Sequence, residues 1–369
     1  KIGGFKNWDQ VKKVYGLSLN NLYFNMIHLK SFLIIFCLIG VSAFFSSCDN
    51  DLELIGPKVE VPIIYGAISI SDPFVFIRLE RAFGDNNISP LELSKNPDSL
   101  YYNDAVVTIS LPSKNFSVEL ERVDATTLGF PRDTGVFANT PNYIYKVDKD
   151  QFIFEPGGKY NLSIKVKGKE YTSSTLLINL IEIVQPKISQ PLLWNPKVDE
   201  VITQSPLFWF QNKEGSQEEA SPAIVSLFVR FNYNERDQAV SQEYIPKSLL
   251  ISVAESVIPD GNRFRYSINK IYAKIGESLA KSATIDRYST SVDFVVVTGG
   301  KEFLDYNEAL AANSGITGTQ DFPIFTNIIG GFGIFSSKNT QNFPGYYLSE
   351  LSLDSLAVGR FTKELNFRK

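Results

Sequence analysis

Short apolar-rich runs separated by polar and turn residues dominate the chain from about residue 63 onward. Ile63 to Ile70, Phe74 to Ala82, Ala105 to Leu111, Phe116 to Arg122, Tyr143 to Val147, Tyr160 to Val166 and Glu170 to Ile183 are such runs. Within them Val75, Ile77 and Leu79 alternate with Phe76, Arg78 and Glu80. Val118 and Leu120 alternate with Glu119 and Glu121, and Leu162, Ile164 and Val166 with Ser163 and Lys165. A period of two predicts strands with one face in a core and one in water. Gly157-Gly158 and Gly168 predict turns, the latter a hairpin turn between Lys167 and Lys169.

About seven strands over some 120 residues fit an immunoglobulin-like β-sandwich without a disulfide. Two longer polar stretches, Phe83–Asn103 and Asp124–Pro141, interrupt it. Loops of this length carry function or merely connect. Prolines punctuate 185–206, which reads as a domain junction. A second, β-rich region follows. Leu207–Phe210, Ala223–Tyr233, Leu249–Val253 and Ser291–Val297 are predicted strands, and Phe325–Phe335 a glycine-bent strand pair. Ile268, Ile271, Tyr272, Ile275 and Leu279 recur at helical spacing behind Ser267, a capping residue. A second short helix is predicted at Lys301–Asn313. The expected class is therefore mainly β, a sandwich followed by a β-rich α+β domain with two short helices.

The first 60 residues follow a different pattern. Ser31 to Phe45 is a run of 15 residues without charge, preceded by Lys30 and followed by Ser46, Ser47 and Cys48. A basic start, an apolar run of this length and a small-residue end predict a secretory signal, since a membrane span needs about 20 apolar residues. Phe45-Ser46-Ser47-Cys48 resembles the lipobox of bacterial lipoproteins, whose Cys is lipidated and becomes the first mature residue. A generic signal followed by a chance Cys is the alternative. The expected organisation is an upstream segment (1–25), a signal (26–47) beginning at the sole Met, a lipidated tether (48–62), the sandwich (63–184), the junction (185–206) and the second domain (207–369).

Composition narrows the chemistry. The sole His is His28 and the two Cys are Cys37 and Cys48, all in the N-terminal segment. A mature chain starting at Cys48 would lack imidazole and a free thiol. The usual neutral base, Ser-His-Asp and Cys-His catalysis, and zinc sites built on His or Cys are then excluded. Basic residues number 36 and acidic ones 40, for a net charge of −4. Processing would remove five lysines and one aspartate and leave a more acidic chain. Nucleic acid is not an expected partner. Ser278-Leu279-Ala280-Lys281 and Ser267-Ile268-Asn269-Lys270 match Ser-x-x-Lys without the companion motifs that chemistry needs. Asp305 and Glu308 read as a solvated helix face, and Asp85-Asn86-Asn87 as a turn. No catalytic, metal or cofactor residues are expected. Trp194 and Trp209, if exposed, would stack on sugars or anchor a partner; buried, they would fill the core.

Three places carry a family resemblance. They are Cys48 with its acid-rich tether (Asp49, Asp51, Glu53), Pro156-Gly157-Gly158-Lys159-Tyr160-Asn161-Leu162 followed by Tyr171-Thr172, and the run from Phe325 to Phe335 (FTNIIGGFGIF). Together they resemble the envelope lipoproteins of Bacteroidetes type called domain-of-unknown-function family 4249. The resemblance implies no established reaction, a β-rich N-terminal domain and an accessory role beside TonB-dependent outer-membrane receptors. It implies an outer-membrane, lipid-anchored location, with the acidic tether favouring the cell surface over the periplasmic face. A carboxylate-based glycan- or peptide-processing enzyme and a structural or adhesive surface protein are the alternatives.

Overall fold

The computed structural model describes residues 61–82, 88–196, 205–213, 218–255, 262–313 and 325–369. The upstream segment, the signal, Cys48, the tether up to residue 60 and Asp85-Asn86-Asn87 lie outside them. The first half contains β1 (Val61–Ile68), β2 (Phe74–Ala82), α1 (Pro90–Ser94), α2 (Pro97–Leu100), β3 (Val106–Leu111), β4 (Phe116–Glu119), β5 (Glu121–Asp124), β6 (Tyr143–Asp148), β7 (Lys159–Val166) and β8 (Lys169–Leu176). The second half contains β9 (Ile181–Gln185), β10 (Leu207–Asn212), β11 (Ala223–Asp237), β12 (Ile245–Glu255), β13 (Arg263–Arg265), α3 (Ile268–Ser278), β14 (Ile285–Gly299), α4 (Lys301–Asn313), β15 (Phe332–Tyr346), α5 (Glu350–Val358) and β16 (Phe367–Arg368). The protein is mainly β, with five short helices among the described residues. Three of these helices lie in the second half, one more than the two predicted there. No described helix is long and apolar enough to cross a membrane.

In the first half β1-β2-β6-β5 form one layer and β4-β3-β7-β8 the other. That is the strand pairing of an immunoglobulin-type sandwich. The inward positions of both layers meet in one core, with Ile64, Ile77, Val107, Ile109, Tyr160 and Ile164 fully buried. Each such aliphatic side chain contributes about 1.5–3 kcal/mol by leaving water. The β7–β8 hairpin turns on Lys167 and Gly168, both at positive φ (49° and 74°), as a two-residue turn of this twist requires.

Two predicted strands divide. The run from Phe116 to Arg122 breaks at Leu120, which is buried and donates its backbone N–H to Val107 O at 2.8 Å. The chain there leaves one layer and enters the other, so β4 and β5 belong to different sheets. Alternation was continuous across the break, and so gave no sign of it. The stretch from Glu170 to Ile183 likewise divides into β8 and β9, because 177–180 crosses between the two halves.

The second half packs β11, β12, β14 and the end of β15 against the β9-β10-β13 sheet and helices α3 and α5. Ser267 caps α3 as predicted, accepting from Lys270 N–H at 3.3 Å. The core is aromatic, built on Trp194, Phe208, Phe210, Phe231, Tyr272 and Phe294.

The halves are not separate sheets. β15 runs parallel to β1 over Phe332–Ser337 and antiparallel to β14 over Lys338–Tyr346. Ile328 and Phe335 accordingly belong to the sandwich core, far from the 63–184 segment in sequence. The glycines of the FTNIIGGFGIF run make this possible. Gly330 turns the chain at φ 83°. Gly333, at φ 108°, lies so close to β1 that a Cβ would stand 1.9 Å from Ile64 O. Asn327 completes the arrangement. Its Oδ1 accepts from Phe335 N–H at 2.9 Å and its Nδ2 donates to Phe335 O at 2.6 Å. The run is thus a splice into the first sandwich and not the predicted bent strand pair; 325–328 is irregular.

Polar side chains of β15 lock the crossing segment. Ser337 Oγ donates to Leu176 O (2.7 Å) and accepts from Ile178 N–H (3.1 Å). Gln341 Oε1 accepts from Ile181 N–H (2.8 Å) and Nε2 donates to Ile181 O (3.1 Å). These groups satisfy backbone at the end of β8, within the crossing and at the start of β9.

The C-terminus is held by charge. Asp286 is buried and receives Arg236 Nη2 (3.0 Å), Arg368 Nε (3.1 Å), Asn366 Nδ2 (2.9 Å) and Gln238 Nε2. The Arg236 hydrogen bond, then those of Gln238 and Arg368, hold its carboxyl at about 2, below its ordinary 3.8. A carboxyl that ionises more readily folded than unfolded stabilises the fold above its unfolded value. That stabilisation falls away as pH drops from about 4 through 2. Acid titration is therefore expected to release residues 366–369 in that window, read by amide exchange. Asp286→Asn should flatten the loss below pH 4; an unchanged profile would mean that Asp286 does not govern it.

Candidate binding cleft

The two insertions come together over the outward face of β2. The first is built from two capped turns. Ser89 accepts from Leu91 N–H and Asn96 from Asp98 N–H, with Pro90 and Pro97 at the start of each helix. A capping residue followed by proline is a helix-start signal, and the polar stretch carries it twice. Ser94 Oγ lies 2.8 Å from the carbonyl oxygens of both Leu91 and Val136, and Ala138 N–H donates to Ser94 O at 2.9 Å. These contacts stitch the first insertion to the second.

The second insertion is fixed at its two ends by Asp124, which accepts from Thr126 N–H (3.0 Å) and Asn142 N–H (3.1 Å). Burial would raise this carboxyl, but the two backbone hydrogen bonds outweigh it and hold it below the ordinary range. Asn142, itself buried, donates Nδ2 to Phe130 O at 3.0 Å and accepts from Arg78 Nη1 at 2.7 Å.

Between the second insertion and the sheet lies a cleft of about 330 Å³. Phe74, Phe76, Phe130 and Pro131 make its apolar wall, and Asp72, Arg78 and Asn142 its polar part. Phe74 and Phe130 meet edge to face at 5.7 Å. Phe74, Phe76 and Arg78 are outward positions of β2, predicted to face water. Apolar side chains on both faces of a strand imply cover on both faces, and the phenylalanines carried that signal.

A row of polar and aromatic groups continues across the sheet. Arg78 Nη1 donates to Glu80 Oε1 at 3.2 Å, and Arg132 Nη2 pairs with the same oxygen at 2.9 Å. Arg132 Nη1 donates to the Tyr101 hydroxyl at 3.2 Å. On the other side Tyr65 stands opposite Arg78 in register. Burial first, and a hydrogen bond with Tyr306 of α4 second, push the Tyr65 hydroxyl up to about 12. The rim of the cap carries exposed apolar side chains, namely Ile88, Leu91, Leu128, Phe130, Val136 and Phe137.

The residues singled out from sequence lie elsewhere. Trp194 is fully buried. Its backbone N–H donates to Ser352 Oγ at 2.7 Å, its Nε1 to Tyr266 OH at 3.2 Å, and its carbonyl accepts from Tyr272 OH at 3.0 Å. It ties α5 to α3 and leaves no face for a ligand, which corrects the exposed reading. Trp209 is half-buried, and Arg263 lies over its ring at 4.4 Å. The two tryptophans do not share a site: Trp194 is inside the second core, Trp209 on the other face of β10. Both Ser-x-x-Lys matches are structural, since Ser267 is a helix cap and Lys281 pairs with Glu364 at 2.6 Å. Asp305 pairs with Lys301 one turn away. No cluster of three or more His, Cys, Asp or Glu side chains suited to a metal occurs among the described residues. A second cleft, of about 430 Å³, lies beside α5 and is lined by Pro196, Leu351, Val358 and Arg360.

Compared with known protein families and with curated proteins, the chain matches none.

Proposed function

We propose that this chain is a lipid-anchored envelope lipoprotein of the outer membrane, tethered through Cys48, that acts as a binding or accessory module rather than an enzyme. The observation that carries the binding part is the cap. Two insertions that a sandwich does not need are hydrogen-bonded to each other, and the second of them encloses, with the sheet, an aromatic cleft with a positioned arginine. Binding sites commonly sit on loops held by a rigid sheet scaffold. Glu80, the acid in the row beside the cleft, is engaged by two arginines, which suits a structural role better than acid–base work. The lipobox supports the anchor. The resemblance to family 4249 supports a partner among TonB-dependent receptors and a location facing the cell surface, with the exposed apolar rim as the contact.

The anchor is tested by Cys48→Ser. The variant is expected to keep the melting temperature of the wild type and to move from the membrane to the soluble fraction. A variant retained in the membrane fraction would count against lipidation at this residue. Protease added to intact cells is expected to cleave the wild type; resistance until the outer membrane is broken would place it on the periplasmic side.

A further inference from the structure

The cleft's arginine is only half used. Both hydrogen bonds of Arg78 leave from one atom, Nη1, to Glu80 Oε1 (3.2 Å) and Asn142 Oδ1 (2.7 Å). Nε and Nη2 meet no acceptor among the described residues. Those two nitrogens form the edge of a guanidinium that grips a carboxylate through two parallel bonds. The edge is also held in place. Asn142 is buried, with its N–H on Asp124 and its Nδ2 on Phe130 O, so the atom orienting Arg78 is itself fixed. A side chain pinned on one side with its two-pronged edge unspent is pre-organised for an anion.

The rest of the cleft selects what carries that anion. Phe74, Phe76, Phe130, Pro73 and Pro131 are apolar, and a volume of about 330 Å³ suits one aromatic side chain better than a sugar chain. The other charges around it are Glu80, shared between Arg78 and Arg132, Asp72, which lines the cleft, and Lys146, whose Nζ sits 5.9 Å from the Phe74 ring and pairs with Asp148. A hydrated inorganic anion would leave the phenylalanines uncovered.

From this we infer that the cleft binds a carboxylate borne on an aromatic or bulky apolar body, with Arg78 taking the carboxylate and Phe74, Phe76 and Phe130 enclosing the body. This rests on reading the cleft as the binding site and adds the class of ligand. A free aromatic acid and the C-terminal residue of a peptide share that chemistry.

The test titrates the folded chain carrying Cys48→Ser, by calorimetry or NMR shifts, with N-acetylphenylalanine and with its primary amide. The acid is expected to bind at least tenfold more tightly. Phe130→Ala, a change at a side chain 53% exposed, should weaken both probes. Arg78→Gln, which removes the charge, should erase the difference between them. Should that variant fail to fold, the acid–amide comparison on the unmodified cleft still decides. Equal binding of acid and amide overturns the inference, as does failure of both to bind at millimolar concentration. A tetrapeptide acid ending in Phe that binds more tightly than the single residue assigns the ligand to peptide ends; equal or weaker binding assigns it to free acids. Either negative result leaves the membrane anchor untouched, because anchoring is read separately from Cys48.

Discussion

Gly333→Ala is expected to destabilise the fold by about 3 kcal/mol or more, a loss of roughly 6–12 °C in melting temperature. Two costs add. The residue sits at φ 108°, where a side chain is strained in any surroundings, and its Cβ would stand 1.9 Å from Ile64 O. The obstacle is backbone within a paired strand, so relief requires β15 to withdraw from β1. Gly129 makes the control. It too has positive φ (83°), but nothing lies within 4 Å of its Cβ. Gly129→Ala should cost about 1 kcal/mol, the conformational part alone. Urea titration of the two variants measures the difference. If Gly333→Ala cost no more than Gly129→Ala, the close approach of β15 and β1 would be wrong.

Arg287→Met is expected to cost about 3–5 kcal/mol, the usual penalty for removing one partner of a buried ionic network. Arg287 is 1% exposed, a rare state for arginine. Its Nε pairs with Glu235 at 2.8 Å, its Nη1 donates to Leu365 O at 2.6 Å and its Nη2 to Ala280 O at 2.9 Å. Removal strands two carbonyl groups and leaves Glu235 to Lys247 alone. Burial would raise the Glu235 carboxyl, yet the Lys247 and Arg287 hydrogen bonds keep it below the ordinary range. Arg287→Lys should recover little, since a single ammonium cannot reach three acceptors in a plane. Denaturant melts measure the loss, and amide exchange should locate it at residues 362–369. A loss under about 1 kcal/mol would show the network to be dispensable.

Local pattern accounts for much of what was legible in the sequence. β2 and β7 follow directly from alternation, and α3 from apolar spacing behind a capping serine. What pattern cannot see is where a chain changes partner. Leu120 looks like any inward residue, yet it is the point where the chain switches sheets. Ser337 and Gln341 look like solvent-facing residues of a strand, and instead bond the backbone of 176–181. α5 escaped because Leu351, Leu353, Leu356 and Val358 do not fall on one helical face; Leu356 alone among them is fully buried. The cleft was half legible. Length and proline content mark its two loops, but alternation makes Arg78 an ordinary outward residue. Only the pairing of Asn142 with Phe130 and Asp124, distant in the chain from β2, shows what it is held for. Rarity singles out Trp194 and Trp209 in the sequence but says nothing about exposure.

The parallel pairing of β1 with β15 sets an order of events during synthesis. β1 begins at residue 61, and its neighbour on that side is complete only at residue 337. Until then the sandwich has an open edge, with unsatisfied backbone groups available to any extended chain nearby. Contacts over so long a separation form slowly. No truncation that ends before residue 337 can close the first layer, even though the sandwich strands themselves end at residue 176. A fragment cut at the proline-rich stretch would carry this edge permanently and should self-associate where the whole chain stays monodisperse. A chain made in N-to-C order keeps that edge exposed for most of its synthesis, the interval in which a chaperone has something to hold.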